Sequence, residues 1–327
     1  MTIEEFCKSL PKLELHAHLN GSLSEKTLKE LGCLDESLSE FKKFLNIINK
    51  TERTLDECFV LFNISQAVTS NKRSVYLATK SIIEEFADDN VIYLELRTTP
   101  RAEDGMSKED YVTAVLKAIA DKERDIIVKL ILSINRGHDA ADSQDSLYSI
   151  LKMAKKYPDI IKGIDLSGNP YGGKFEEQLF RIAKENGLYT AIHCAEIRND
   201  KEVEEILNFG PDRIGHATFL HPKYGGSQEN WELYCRKIIP IECCLTSNIV
   251  CGTSRNYKEH HVQEWIKNDL PFSINEYEYA SRSFDLSRND LWSISYNAID
   301  HSFASTEEKN LLKVKLEDWK QTNKRYF

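Results

Sequence analysis

The sequence predicts a single α/β domain spanning residues 1–327, in which eight parallel strands form a (β/α)8 TIM barrel with helical insertions. Strand-like apolar segments alternate with helical segments along the whole chain, which is the pattern of a parallel sheet with crossover helices. Eight such units fit a chain of 327 residues. A doubly wound open sheet is the structural rival, but it usually carries a G-x-G-x-x-G turn after its first strand, and none occurs there.

The element boundaries follow from hydrophobic periodicity and from the turn residues between segments. Apolar residues at 75, 77, 78, 82, 83 and 86 form the apolar face of a predicted helix, and residues 91–97 follow as a buried strand. The predicted strands are 12–17, 91–97, 126–134, 160–166, 189–194, 213–215, 239–243 and 272–274. The predicted helices are 2–9, 24–32, 38–49, 55–68, 74–89, 108–124, 142–156, 175–186, 201–209, 231–237 and 261–268.

Composition and charge exclude several classes of function. A net charge of −9 argues against nucleic-acid binding, which requires a basic surface. No apolar run reaches the length of a membrane span, and the acidic start of the chain does not resemble a secretory signal. The eight cysteines are scattered, so we expect reduced thiols in a cytoplasmic protein. Because neither heptads nor an obvious exposed apolar stripe occurs in the sequence, we expect a monomer.

Two histidines, His16 and His18, stand two residues apart at the end of the first predicted strand. Side chains with this spacing point to the same side of a strand, and neutral imidazole nitrogens bind zinc well. His193, Glu196 and His216 fall at the ends of the fifth and sixth strands. Because the carboxyl ends of barrel strands form one rim, which carries the active site, these five residues predict a catalytic metal site there.

Longer motifs around these residues resemble the adenosine deaminase family of metal-dependent hydrolases, in family order and over nearly the whole chain. Asn20 after the H-x-H pair and the 94–101 run are most similar to the adenosine deaminase-like branch, which acts on N6-methyl-AMP. The matching segments are LHAHLNGS at 15–22, GIDLSGNP at 163–170, HCAE at 193–196, RIGHA at 213–217 and CLTSN at 244–248.

The resemblance implies a role for each matching residue. His16, His18 and His193 would bind one zinc ion (Zn2+), Glu196 would transfer protons to and from the purine ring, and His216 would orient the attacking hydroxide. The partner would be a small purine nucleotide or nucleoside. The substrate-binding residues would be His18, Asn20, Gln66, Thr98, Thr99, Pro100, Arg101 and Gly168, with Thr98, Thr99 and Arg101 placed to take a 5′-phosphate.

The chain departs from the family after the eighth predicted strand. The family has an aspartate zinc ligand there, in a Thr-Asp-Asp motif, whereas this chain continues directly from Ile274 to Asn275-Glu276-Tyr277. Three histidines can still hold zinc, so we expect weakened metal binding and reduced turnover. Glu276 and Glu278 could replace the aspartate, but we expect both to be solvated helix residues.

Other functions stay open at this point. A catalytically impaired nucleotide-binding barrel, such as a splice variant or pseudoenzyme, has the same histidines with an incomplete metal shell. An adenosine-to-inosine deaminase differs only in lacking phosphate recognition. An amidohydrolase acting on cyclic amides would need a carboxylated lysine, and no middle strand ends in one. The cytidine-type deaminases require H-x-E with P-C-x-x-C, which this sequence lacks.

Overall fold

Eight parallel strands follow one another around a nearly closed barrel, and hydrogen-bonded neighbours are consecutive strands throughout. The computed structural model describes residues 1–31, 46–48, 50, 53–103 and 105–327. The strands are β1 Lys12–His18, β2 Val91–Thr98, β3 Ile127–Asn135, β4 Ile161–Ser167, β5 Tyr189–Cys194, β6 Arg213–His216, β7 Ile241–Cys243 and β8 Phe272–Ile274.

Helices cover the outside of the barrel, and their starts follow the sequence closely. Ser, Thr, Asp and Asn residues cap most of the helices, as at Ser107, whose hydroxyl accepts from the Asp110 amide. The helices are α1 Ile3–Ser9, α2 Glu25–Glu30, α3 Leu55–Val68, α4 Lys72–Asp88, α5 Lys108–Ala120, α6 Ala140–Lys156, α7 Glu177–Glu185, α8 Asp200–Phe209, α9 Gln228–Lys237, α10 Leu245–Val250, α11 Val262–Lys267, α12 Tyr277–Phe284, α13 Arg288–His301 and α14 Thr306–Thr322.

The main apolar core lies between the strands and these helices. Alternate residues of β2, such as Leu94 and Leu96, are fully buried and belong to this core. A separate small cluster of Ile131, Ala191 and Phe303 packs apart from it. The Phe303 ring lies 3.7 Å from the Arg213 guanidinium carbon, so an aromatic face supports a buried charge.

The predicted fold class is confirmed, with each predicted strand present and its boundaries shifted by at most two residues. β7 begins at Ile241 rather than at 239 because Pro240 has no amide hydrogen to donate to a neighbouring strand. The structure adds helix α10 directly after β7, where the sequence indicated only a strand end. Most of the predicted helix at 38–49 lies outside the described residues.

The described part of the chain was searched for disulfides and for helices that could span a membrane. Cys7, Cys194, Cys235, Cys243 and Cys244 form no disulfide. None of the helices in the described part combines the length and apolar content needed to cross a bilayer.

Leu316→Ala should lower the free energy of unfolding by about 2–5 kcal/mol, because it opens a cavity in the core. Leu316 is fully buried on α14, whereas Leu311 on the same helix is 48% exposed. Leu311→Ala is therefore the matched control and should change stability by less than about 0.5 kcal/mol. Urea unfolding of both variants measures the difference, and equal losses would contradict the assigned inner face of α14.

Candidate active site

Four histidine rings meet at the carboxyl ends of three strands. His16 and His18 come from β1, His193 from β5 and His216 from β6. The ring of His16 lies 4.7 Å from that of His193 and 4.9 Å from that of His216, between centroids. The structure thus brings together residues that are up to 200 positions apart in the sequence.

The first three of these histidines can share one metal ion. Their candidate ligand atoms all lie within 4.8 Å of one another, and the Nε2 atoms of His18 and His193 are 3.1 Å apart. Burial lowers the pKa of His18 to about 3, so this imidazole is neutral at physiological pH. Facing lone pairs at this distance repel unless a proton or a cation lies between them. The donor set therefore fits zinc.

Two buried carboxylates orient these imidazoles. His193 Nδ1 lies 2.8 Å from Asp165 Oδ1, and His16 Nδ1 lies 2.5 Å from Glu242 Oε2. With the Nδ1 proton donated to a carboxylate, each ring keeps a lone pair on Nε2, the tautomer that binds a metal. Asp165 and Glu242 were not recognised as site residues from the sequence.

The two carboxylates belong to an ion network inside the barrel. Arg97 Nη2 donates to Glu242 at 2.7 Å, and Arg213 Nε donates to the other Glu242 oxygen at 2.7 Å. Arg213 also pairs with Glu95. All five charged side chains are at most 1% exposed. The sequence feature that could have indicated this network is a charged residue in the middle of an apolar strand. Parallel strands that are buried on both faces normally carry apolar residues throughout.

Glu196 and His216 form a second pair beside the metal-binding histidines. His216 Nε2 lies 3.6 Å from Glu196 Oε1, and Glu196 Oε2 is buried without a hydrogen-bond partner. Burial raises the pKa of Glu196, which favours the protonated acid. The backbone next to both is strained, with φ of 56° at Ala195 and 64° at His216. A buried carboxyl group with a raised pKa and one oxygen without a hydrogen-bond partner suits proton transfer.

The predicted phosphate-binding residues are already engaged within the protein. Arg101 Nη2 donates to the Gln66 carbonyl at 2.8 Å and to the Thr69 hydroxyl at 2.7 Å. The Thr98 hydroxyl lies 2.7 Å from the Tyr111 hydroxyl, and the Thr99 hydroxyl lies 3.5 Å from the Ser167 hydroxyl. Pro100, between them, is buried.

Two further predicted substrate residues lie near this group. The Asn20 amide donates to the Thr69 hydroxyl at 2.9 Å and to the Ser65 carbonyl at 3.2 Å. Gly168 has a φ of 104°, and a side chain there would collide with the Asn135 amide, so the position requires glycine.

The connection after β8 consists of Asn275 and Glu276 alone. The expectation that Glu276 is solvated is wrong. Its carboxylate accepts the Thr246 amide at 2.9 Å and the Leu245 amide at 3.1 Å, because the short connection holds it against the start of α10. Glu278, by contrast, forms a helix-surface ion pair with Arg282 at 2.6 Å.

A cavity of about 1040 Å3 opens beside Glu196. Its walls come from the loops after β4, β5, β6 and β7, and they include two acidic side chains, Glu196 and Glu259. Four basic side chains also line it: Arg198, Lys223, Arg255 and Lys258. A chain of negative net charge thus has a locally positive space, which suits an anionic small molecule.

The chain is similar to known proteins over nearly its whole length. The family model described as adenosine deaminase matches residues 11–319. The adenosine deaminase-like protein of Drosophila melanogaster is 38% identical, covering 94% of this chain and 95% of that protein. The human N6-methyl-AMP deaminase is 36% identical, covering 95% of this chain and 94% of that protein. The structure of Arabidopsis ADAL complexed with IMP superposes with a TM-score of 0.87 at 35% identity, covering 96% and 98% of the two chains.

Glu242→Gln should destabilise the protein by about 3–5 kcal/mol, because it removes the charge that neutralises two buried guanidinium groups. Glu317→Gln is the matched control, since Glu317 is exposed on α14 and accepts one hydrogen bond from the Tyr296 hydroxyl. Urea unfolding at neutral pH compares the two. A Glu242→Gln protein as stable as the control would show that the network contributes nothing to folding.

Proposed function

Because the chain belongs to the adenosine deaminase family, we propose that it is a zinc-dependent purine deaminase acting on N6-methyl-AMP, with IMP and methylamine as products. The observation that carries this proposal is the cluster of His16, His18 and His193 beside Glu196 and His216. The names of the relatives support the substrate class, because they include an N6-methyl-AMP deaminase and a protein complexed with IMP.

His16, His18 and His193 would hold the zinc ion through their Nε2 atoms, with Asp165 and Glu242 behind two of them. A bound zinc ion lowers the pKa of water to about 7, which supplies hydroxide at neutral pH. All five of these residues lie on strands of the barrel, so the fold positions them before the substrate arrives.

Glu196 would carry the protons of the reaction. Hydrolysis forms a C6–O bond and breaks the bond between C6 and the exocyclic nitrogen, which leaves as methylamine. The ring nitrogen next to C6 takes a proton from Glu196. Glu196 then receives a proton from the attacking oxygen and passes it to the leaving amine. The raised pKa of Glu196, caused by burial, matches this donor role. His216, 3.6 Å away, would orient the attacking oxygen.

Two sites could hold a 5′-phosphate. The first comprises Thr98, Thr99 and Arg101, with Asn20, Gln66 and Gly168 binding the remainder of the nucleotide. Arg101 is the charged member of this set, and its Nε lies 3.3 Å from Glu103 Oε1, so a phosphate would replace this carboxylate as its partner. The second is the basic wall of the cavity beside Glu196. We prefer the first, because its residues match the family pattern.

A catalytically impaired nucleotide-binding protein is the second candidate function. The two-residue connection between β8 and α12 favours it, because no aspartate is available there as a metal ligand. An assay of N6-methyl-AMP deamination with zinc present separates the two functions. If zinc and nucleotide bind but no IMP forms, the second function is correct.

Glu196→Gln should reduce the turnover of N6-methyl-AMP by about 10²–10⁴-fold, because general acid–base catalysis contributes this much. The zinc content should not change, since Glu196 is not among the proposed ligands. Glu205→Gln, an exposed change on α8, is the control and should keep full activity. Release of IMP, followed by chromatography, measures each variant. Unchanged turnover in Glu196→Gln would exclude it as the proton carrier.

Arg101→Ala should lower kcat/KM for N6-methyl-AMP by at least about tenfold, while N6-methyladenosine is much less affected. The reason is that charge-assisted hydrogen bonds to a phosphate contribute about 1.5–3 kcal/mol. Arg255→Ala, which changes the cavity wall, is the comparison. A selective loss in Arg255→Ala instead would place the phosphate in the cavity. Equal losses on both substrates in Arg101→Ala would leave only a structural role for this arginine.

A further inference from the structure

The last residue of β6 and the residue after it have a strained backbone. His216 and Ala217 are both left-handed, with φ of 64° and 57°. Residues other than glycine rarely adopt this conformation, and it persists only where the surrounding structure holds it in place. The direction of the His216 ring, which would orient the attacking oxygen, therefore depends on the groups that hold this turn.

The carbonyl of His216 is held by a side chain 45 positions later in the sequence. Pairing between β6 and β7 ends at Gly215 and Glu242, one residue before His216. The Nε2–H group of His261 donates to the His216 carbonyl oxygen at 2.8 Å. His261 and His216 are only 1% and 8% exposed. Without this donor the carbonyl would lose its partner in a buried place, which is the costly way to lose a hydrogen bond.

The imidazole of His261 makes no other hydrogen bond within the described part of the chain. Its Nδ1 atom is buried there without a partner. Burial lowers the pKa of His261 to about 4, so the ring is neutral and carries its one proton on Nε2, facing the carbonyl. A phenylalanine ring at this position would fill a similar space and would lack the donor.

A second contact reaches the same turn through the CLTSN motif. Asn248, the last residue of the motif, donates from Nδ2 to the Thr218 hydroxyl at 2.9 Å. The Asn248 Oδ1 atom lies 3.0 Å from His260 Nε2, and His260 Nδ1 accepts a backbone amide at 3.2 Å. Because Nδ1 is the acceptor, His260 donates its proton from Nε2 to Asn248. The two adjacent histidines thus reach the turn after β6 by separate routes, and His261 does so at His216 itself.

We propose that His261 is a positioning residue for the deamination reaction: its hydrogen bond to the His216 carbonyl keeps the left-handed backbone that directs the His216 ring toward the attacking oxygen. This inference rests on the proposed function, because it requires that His216 orient this oxygen. Since His261 acts through His216 rather than on the substrate, its loss should lower kcat and leave substrate binding largely intact.

Steady-state kinetics of His261→Phe tests the proposal. We expect kcat for N6-methyl-AMP to fall by about 10–100-fold, with KM and zinc content unchanged, because a misplacement of about 1 Å can cost about 100-fold in rate. His261→Gln should keep most of the activity, since its amide can donate from nearly the position of Nε2, whereas the shorter His261→Asn should not. His221→Phe is the matched control and should keep full activity, because His221 lies in the same loop after β6 and accepts a backbone amide there.

A double-mutant cycle with His216→Ala separates positioning from a merely structural role. In the His216→Ala background, His261→Phe should change kcat by less than about twofold, since the ring that it positions is gone. A further loss in that background as large as in the unmodified chain overturns the proposal. Full kcat in His261→Phe, or equal losses in His261→Gln and His261→Asn, also overturns it.

A crystal structure of His261→Phe decides the question even without turnover. If the unmodified chain forms no IMP, the proposed function fails, and the place of the His216 ring becomes the readout for this inference. A ring displaced by about 1 Å or more from its place in the unmodified protein supports positioning by His261, and an unchanged ring overturns it. If His261→Phe fails to fold, the same comparison is made between His261→Gln and His261→Asn.

Discussion

The arrangement of the site depends on five charged side chains sealed inside the barrel. Arg97 and Arg213 lie among Glu95, Asp165 and Glu242, and none of the five is more than 1% exposed. Isolated charges in such a place would cost several kcal/mol each, so each must keep its partners. Two positive and three negative groups leave one excess negative charge. Asp165 and Glu242 lie directly behind two of the imidazoles, where their negative charge favours a cation.

The same network determines which nitrogen of each imidazole faces the site. Glu242 receives guanidinium donors on both of its oxygens and also faces His16 Nδ1. A carboxylate held on three sides cannot rotate freely, so the ring of His16 is fixed as well. Asp165 is held in a comparable way by the Ser133 hydroxyl and by Arg97 Nη1, 3.5 Å away. Ion pairs that add little net stability thus provide orientation instead.

Much of the fold and part of the site followed from the sequence, for separable physical reasons. Strand–helix alternation is local, and the chirality of parallel crossovers then brings strand ends to one rim, so His16, His193 and His216 could be grouped. The partners of Arg213 could not, because Glu95 is 118 positions away and nothing local marks the pair. The engagement of Arg101 by Thr69 was equally hidden, since a charged turn residue normally implies a solvated side chain. Hydrophobic periodicity indicates which face of a helix or strand is buried, but not which polar groups from different elements meet inside the barrel.

The short connection after β8 also determines how the segment after β7 is held. With two residues between β8 and α12, Glu276 is held close to the first turn of α10 and accepts the amides of Leu245 and Thr246. Those amides directly follow Cys244, so the backbone that carries the thiol is anchored beside His16. A longer connection would leave Glu276 free to move away and those amides without this acceptor. The short connection after β8 therefore fixes the start of α10 beside the histidine cluster.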